Sequence, residues 1–168
     1  MKVSVRLVSV ADAAELTGLL RANREFLAPW DPIRDEEYFT LDGQRKLIRA
    51  ALDSEANEPH VIEADGAIAG RVNLNNVVRG PFQSANLGYW VSRHLNGRGV
   101  ATEAVGEIVR IAFDDLGLHR VEAGTLLHNT GSQRVLERNG FVRFGMAPRY
   151  LKIAGQWQDH ALFQRING

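Results

Sequence analysis

The sequence predicts a mixed α/β protein, and three observations carry that prediction. Asn86–Ser92 is aromatic and β-branched, as strands are, and it leads through a loop holding Gly97 and Gly99 into a helical pattern. In that pattern Ala101, Val105, Ile108, Val109 and Ala112 recur at helical spacing. Strand-like and helix-like stretches follow one another in the order β-α-α-β-β-β-α-β-α-β-β. Asp65-Gly66 and Gly155 each separate two extended runs, as hairpin turns do. A chain of 168 residues is long enough to bury a core as one domain over residues 1–168.

Taken in order, Val3–Val8 alternates toward a strand with Arg6 exposed. Asp12 precedes a helix carrying Leu16, Leu19, Leu20 and Phe26, which should end near Pro29. Pro29 and Pro32 break the chain, and the acidic residues Asp31, Asp35, Glu36 and Glu37 follow. Thr40 begins a second helix through about Ser54, with Leu47, Ile48, Ala51 and Leu52 expected to face inward. His60–Ala64 is a strand whose partner, Ala67–Leu74, carries Gly70 at a bend or bulge. Arg79-Gly80-Pro81 interrupts the chain before the strand that feeds the glycine loop. Gly117 ends the central helix and His119–Thr125 is extended. Asn129–Ser132 opens a short helix through Asn139, Gly140 stops it, and Phe141 resumes extended structure. Gly155 turns a last hairpin whose second arm carries Trp157, His160, Leu162 and Phe163.

Composition excludes several function classes. Formal net charge is +0, which gives no reason to expect nucleic-acid binding. The absence of cysteine rules out disulfides, thiolate metal sites and acyl transfer through a cysteinyl intermediate. The histidines (His60, His94, His119, His128, His160) show no metal-ligand spacing, so no metal is expected. Met1–Arg6 has no apolar signal core and no run approaches a membrane span. A soluble cytoplasmic protein, monomer or homodimer, is the default.

The glycine loop has a specific use. A helix's first turn offers unpartnered N–H groups and the positive end of the dipole, which attract a phosphate. Gly97 and Gly99 let the backbone come close, Ala101 keeps the helix entry open, and Arg98 adds a charged donor. A plain strand-to-helix turn fits the same glycines. Thr102 stands where a dinucleotide fingerprint requires its third glycine, and no Gly-Lys-Ser/Thr is present.

Asn96-Gly97-Arg98-Gly99-Val100-Ala101 resembles the acetyl-CoA motif Q/R-x-x-G-x-G/A of the GNAT superfamily of N-acetyltransferases, with Asn96 in place of Gln or Arg. The element order and the run Asn129-x-x-Ser132 … Leu136-Glu137-Arg138-Asn139-Gly140-Phe141 extend the resemblance across the chain. Asn23–Trp30 and Gly155–His160 are similar to RimJ/RimL-type ribosomal-protein-alanine N-acetyltransferases, nearer the RimJ branch. The resemblance implies a twisted, mostly antiparallel sheet with helices on both faces and a V-shaped splay at the central strands, where the strand at Tyr89–Val91 parts from its neighbour after a bulge. It further implies acetyl-CoA as cosubstrate, held by Trp90, Val91, Asn96, Gly97, Arg98, Gly99, Val100, Ala101, Thr102, Asn129, Ser132 and Arg134. Arg138 lies on the same helix as Arg134, where both could also be a solvated face.

Roles follow from that likeness. A backbone N–H near Val91 would polarise the thioester carbonyl, an interaction that can contribute about 3 kcal/mol. Tyr89 stands with Val91 as a catalytic candidate; Tyr89 and Trp90 also read as core packing, and Asn129 or Thr130 as a helix N-cap. Many superfamily members carry a tyrosine acid where Leu136 stands, which leaves Ser132 as the candidate beside the leaving sulfur. RimL-like enzymes carry a Glu where Leu151 stands, so no general base is evident, with Glu25, Glu103, Glu122, Asp159 and His160 open. Without a strong base, an α-amine of pKa about 7.7–8.0 suits the site better than a lysine near ~10.4. The acceptor groove is expected between the Asn23–Tyr38 connection and the final hairpin, walled by Phe26, Trp30, Tyr38 and Tyr89. The acidic run beside it suits a basic protein N-terminus or reads as a solvated loop. A small-molecule amine acceptor and a non-catalytic CoA-binding module are the alternatives.

Overall fold

A computed structural model describes all residues, Met1–Gly168. Seven strands form one sheet: β1 (Val3–Leu7), β2 (Glu58–Ala64), β3 (Ala67–Val78), β4 (Ser84–Val91), β5 (Arg120–Leu126), β6 (Val142–Ile153) and β7 (Gln156–Ile166). Their spatial order is β1-β2-β3-β4-β5-β7-β6. Every neighbouring pair is antiparallel except β4–β5. The helices are α1 (Ala13–Ala22), α2 (Arg24–Leu27), α3 (Leu41–Asp53), α4 (Val100–Arg110) and α5 (Thr130–Arg138). No helix is long and apolar enough to cross a membrane.

Strand alternation sends successive side chains to opposite faces, and two cores result. Ile62, Val72 and Ala85 pack with Val105, Ile108 and Val109 of α4 and with Leu136 of α5. Val61 and Ile68 pack on the other face with Ala13 and Leu16 of α1 and Ile48 of α3. The hairpin at Asp65-Gly66 has φ of 50° and 85°, the left-handed pair that a tight two-residue turn requires.

The first helix does not run on to Pro29. It stops at Asn23, whose side chain competes with the backbone: Nδ2 donates to the Leu19 carbonyl (2.9 Å) and to Ser92 Oγ (3.0 Å). Asn23 Oδ1 accepts from the Arg93 N–H at 2.9 Å, so the break fastens α2 to the end of β4.

Thr40 caps α3 as expected, its Oγ1 accepting from the Gly43 N–H at 3.0 Å. The buried stripe of α3 is rotated from the expected one. Ile48 is buried, but Leu47 and Leu52 are exposed, and Gly43 and Gln44 are buried instead. The reason is close approach: a Cβ on Gly43 would lie 1.8 Å from the Glu37 carbonyl oxygen, so the Glu36–Phe39 turn packs directly on that face.

β4 and β5 pair only at Ser84–Asn86 with Arg120–Glu122 and then part, which opens the sheet. The bulge precedes Tyr89–Val91, since β4 pairs with β3 without interruption from Asn86 to Val91. The extra residue lies on β3, near Asn76 at φ 52°.

Asp12 ties β1 to α1. Its carboxylate accepts from the Ser9 N–H (2.8 Å) and takes both Arg6 terminal nitrogens at 2.9 Å. The Arg6 guanidinium holds the Asp12 carboxyl below its usual range, burial opposing. A carboxyl lowered in the folded state adds stability above its unfolded pKa of about 3.9, and that stability is lost as pH falls through the folded value. Asp12→Ala should therefore cost about 2 kcal/mol at pH 7 and much less at pH 2. Urea unfolding at the two pH values checks this.

Candidate active site

The gap between the diverging strands is a cleft of about 570 Å³. Tyr89, Trp90 and Val91 of β4 line it, with Leu95–Gly97 and Gly99–Thr102 from the glycine loop and α4. Asn129, Gly131, Ser132, Arg134, Val135 and Arg138 line it from α5, and Phe26, Leu27, Trp30 and Asp31 from α2 and the turn after it.

The glycine loop is shaped as its residues require. Gly97 and Gly99 have φ of 77° and 80°, a region that glycine reaches without Cβ strain. Gly99 is the N-cap of α4, and Glu103 is the first residue of the helix whose N–H bonds back, to Gly99 O at 3.0 Å. The N–H groups of Val100, Ala101 and Thr102 thus have no acceptor within the helix. Asn139 Nδ2 donates to the Thr102 carbonyl at 3.1 Å, fastening the end of α5 to this turn. Along α5, Arg138 lies about 9 Å beyond Ser132 at 1.5 Å per residue. The unpartnered amides, the Cβ-free loop and the two arginines together fit a chain of phosphates.

Two expected residues are elsewhere. Arg98 is exposed and contributes nothing to the cleft wall. Tyr38 lines a separate pocket of about 170 Å³ with Leu27, Asp31, Arg34 and Phe39. Both differences come from loop paths that local sequence does not specify. The Asn96 amide turns back toward the Val91 and Ser92 carbonyls at 3.5 Å, the outer limit of hydrogen bonding.

Tyr89 and Trp90 line the cleft and also pack on opposite cores, Tyr89 on the α4 side and Trp90 on the α1 side. Tyr89 Oη lies 2.6 Å from Ser132 Oγ. Burial pushes the Tyr89 phenol up to about 12, with the Ser132 hydrogen bond pulling the other way. Asn129 is the N-cap of α5: its Oδ1 accepts from the Ser132 N–H at 3.2 Å. Trp30 rests on His128 with ring centroids 5.4 Å apart, which brings the turn after α2 to the start of α5. Leu136 is fully buried in the core, away from the cleft.

None of the five open base candidates lines the cleft. Glu25 and Glu103 are exposed. Glu122 pairs with Arg120 at 2.7 Å, Asp159 accepts from the Arg149 N–H at 2.9 Å, and His160 is held by the Gln158 carbonyl at 2.8 Å. Sequence reading missed Leu95 and Val135 as wall residues and Asn23 as the tie between α2 and the end of β4. Only the unusual Asn between two helical stretches signalled the last of these.

The sequence model of the acetyltransferase (GNAT) domain matches residues 2–142. The chain belongs to the GNAT acetyltransferase family. It is similar to Probable N-acetyltransferase YjcK of Bacillus subtilis (strain 168), at 40% identity over 98% of this chain and 94% of that protein. It is also similar to ribosomal protein uS5-alanine N-acetyltransferase of Escherichia coli (strain K12), at 35% identity over 96% of this chain and 86% of the other. Among solved structures, ribosomal-protein-S5-alanine acetyltransferase from Vibrio fischeri superposes with TM-score 0.94 at 31% identity, over 99% of this chain and 94% of that one. Mycobacterium smegmatis RimJ in complex with CoA-disulfide gives TM-score 0.93 at 34% identity, over 98% and 81%. This GNAT chain is an N-acetyltransferase, and acetyl-CoA is its acetyl donor.

Proposed function

We propose that this GNAT enzyme acetylates the N-terminal α-amine of a protein, a ribosomal-protein alanine being the leading acceptor, by direct attack of the amine on the thioester. The observation that carries this reading is the whole-length likeness to the Escherichia coli and Vibrio fischeri alanine acetyltransferases. An open cleft walled by Phe26 and Trp30 gives a peptide end room to enter.

In this reading the unpartnered amides of Val100, Ala101 and Thr102, with Gly97, Gly99, Arg134 and Arg138, hold the CoA phosphates. Asn129 has its Oδ1 committed to the helix cap, so its Nδ2, which has no partner within the chain, is the group that donates to the pantetheine arm. The backbone at Trp90–Val91 lies alongside that arm, where an N–H polarises the acetyl carbonyl. Tyr89 donates to Ser132 Oγ, and Ser132 turns its own hydrogen toward the leaving sulfur. No cysteine is present, so the acetyl group passes without a cysteinyl stop.

The test is CoA release from acetyl-CoA with an alanine-starting basic ribosomal-protein peptide. The control is the same peptide with its α-amine blocked and an internal lysine free. Turnover with the first and none with the second is the expected result. Turnover only with small amines would move the acceptor to a small molecule, and tight acetyl-CoA binding with no turnover on any amine would favour a non-catalytic CoA-binding role.

A further inference from the structure

The carboxylates of this protein are mostly spoken for. Asp12 and Glu63 hold Arg6, Glu36 holds Arg24, Glu37 holds Lys46, Glu107 holds Arg110, and Glu122 holds Arg120. Asp31 combines two features. It is the sole acidic residue on the wall of the acetyl-transfer cleft, where it follows Trp30. Its carboxylate also accepts no hydrogen bond from the chain; the nearest cation, Arg34 Nε, stands 3.8 Å away. Its backbone is fixed independently, since the Asp31 carbonyl accepts from the Ala154 N–H at 2.8 Å at the tip of the last hairpin. No histidine, lysine or glutamate lines the cleft.

We propose that Asp31 is the carboxylate that receives the acceptor's ammonium group and takes its proton before the amine attacks. The acceptor arrives as R–NH3⁺, and one N–H proton passes to Asp31 Oδ, which leaves a lone pair on nitrogen. That pair forms the N–C bond to the acetyl carbon while the C–S bond breaks, its electrons going to sulfur. The second N–H proton is taken by the departing thiolate, and Asp31 returns its own proton to water. The products are the acetamide, CoA thiol and one proton.

The surroundings suit that task. Burial raises the Asp31 carboxyl above its usual range, with Arg34 opposing it, which makes it a stronger base than an exposed aspartate. Its side chain keeps 36% exposure, so a cation can reach it. The titratable and charged groups around it are Arg34 on its own loop, Arg24 and Tyr38 across the small pocket behind it, and Arg71 of β3 facing Tyr38. His128 lies against the neighbouring Trp30. The proposal rests on N-acetyl transfer and not on which amine is the acceptor.

Asp31→Asn keeps the shape and the backbone tie, and should leave the acetyl-CoA Kd unchanged. With an alanine-starting peptide, kcat/KM should fall about 100-fold at pH 7. The deficit should shrink as pH rises past the amine pKa of about 8, where the acceptor is already neutral. Arg34→Gln provides the second readout: removing the nearby cation should move the acid limb of kcat/KM to higher pH. If the peptide is not acetylated by the parent enzyme, the same comparison on spermidine tests Asp31 while the peptide reading fails by itself. A deficit below threefold at pH 7, or one that is equal at every pH, overturns the proposal. An unmoved acid limb in Arg34→Gln does so as well. A protein that neither acetylates nor binds any of these amines overturns both.

Discussion

Gly70→Ala is expected to destabilise the protein by about 3 kcal/mol, at the upper end of overpacking costs, and to weaken acetyl-CoA binding at least tenfold. Gly70 sits on β3 opposite Val91, where a Cβ would lie 2.0 Å from the Trp90 carbonyl oxygen and 3.0 Å from Val91 Cα. Both are backbone atoms, so no side chain can rotate away, and the strand that lines the cleft must move. The control is Gly18→Ala in α1, where a Cβ meets nothing within 4 Å. Removing a helix-interior glycine there should stabilise by up to about 1 kcal/mol and leave binding alone. Thermal unfolding and calorimetric titration with acetyl-CoA measure both quantities. Unchanged binding in a folded Gly70→Ala protein would mean that the close approach of β3 and β4 does not set acetyl-CoA affinity.

Ser132→Ala is expected to lower kcat by about 10- to 100-fold with little change in the acetyl-CoA Kd. Tyr89→Phe should do much the same, and the double variant should be no worse than either. The reason is the 2.6 Å contact between the two hydroxyls and the high phenol pKa of about 12. A thiol leaves with a pKa of about 8.5, so moving the Tyr89 proton to it outright is uphill by some 3.5 pKa steps, or about 5 kcal/mol. On the proposed reading Tyr89 stays protonated and acts through Ser132 as an oriented hydrogen bond. Groups that act as a unit are non-additive in a double-mutant cycle. The rates should also lack an ionisation from Tyr89 between pH 6 and 9. Additive losses, or a Tyr89→Phe effect that persists in Ser132→Ala, would give the two hydroxyls separate roles.

Much of this architecture was legible in local chemistry. Asp65-Gly66 specifies its hairpin because both residues tolerate the left-handed φ of that turn. Gly97 and Gly99 mark the loop before α4 for the same reason, and the α4 apolar spacing marks which face it buries. Asn129 caps α5 through an oxygen that reaches only three residues on. The resemblance carried by Asn96–Ala101 and by the Asn129–Phe141 run led to the family that the domain match establishes.

Other features needed the tertiary structure, because they depend on groups distant in sequence. The Tyr89–Ser132 contact spans 43 residues and the Asn23–Ser92 contact 69, and neither leaves a periodic signal. The buried stripe of α3 was displaced by the Glu36–Phe39 turn lying against Gly43, an approach that helix periodicity does not contain. Tyr38 and Asp31 share one acidic connection, yet only Asp31 reaches the cleft. Local sequence carried the strands, most helix starts, the turns and caps, and the glycine loop before α4, since each is decided within a few residues by φ, side-chain reach and helical spacing. The opening between β4 and β5, and the side chains gathered around it, were decided by three-dimensional packing: two strands that pair for three residues and then separate leave a gap that only distant segments can line.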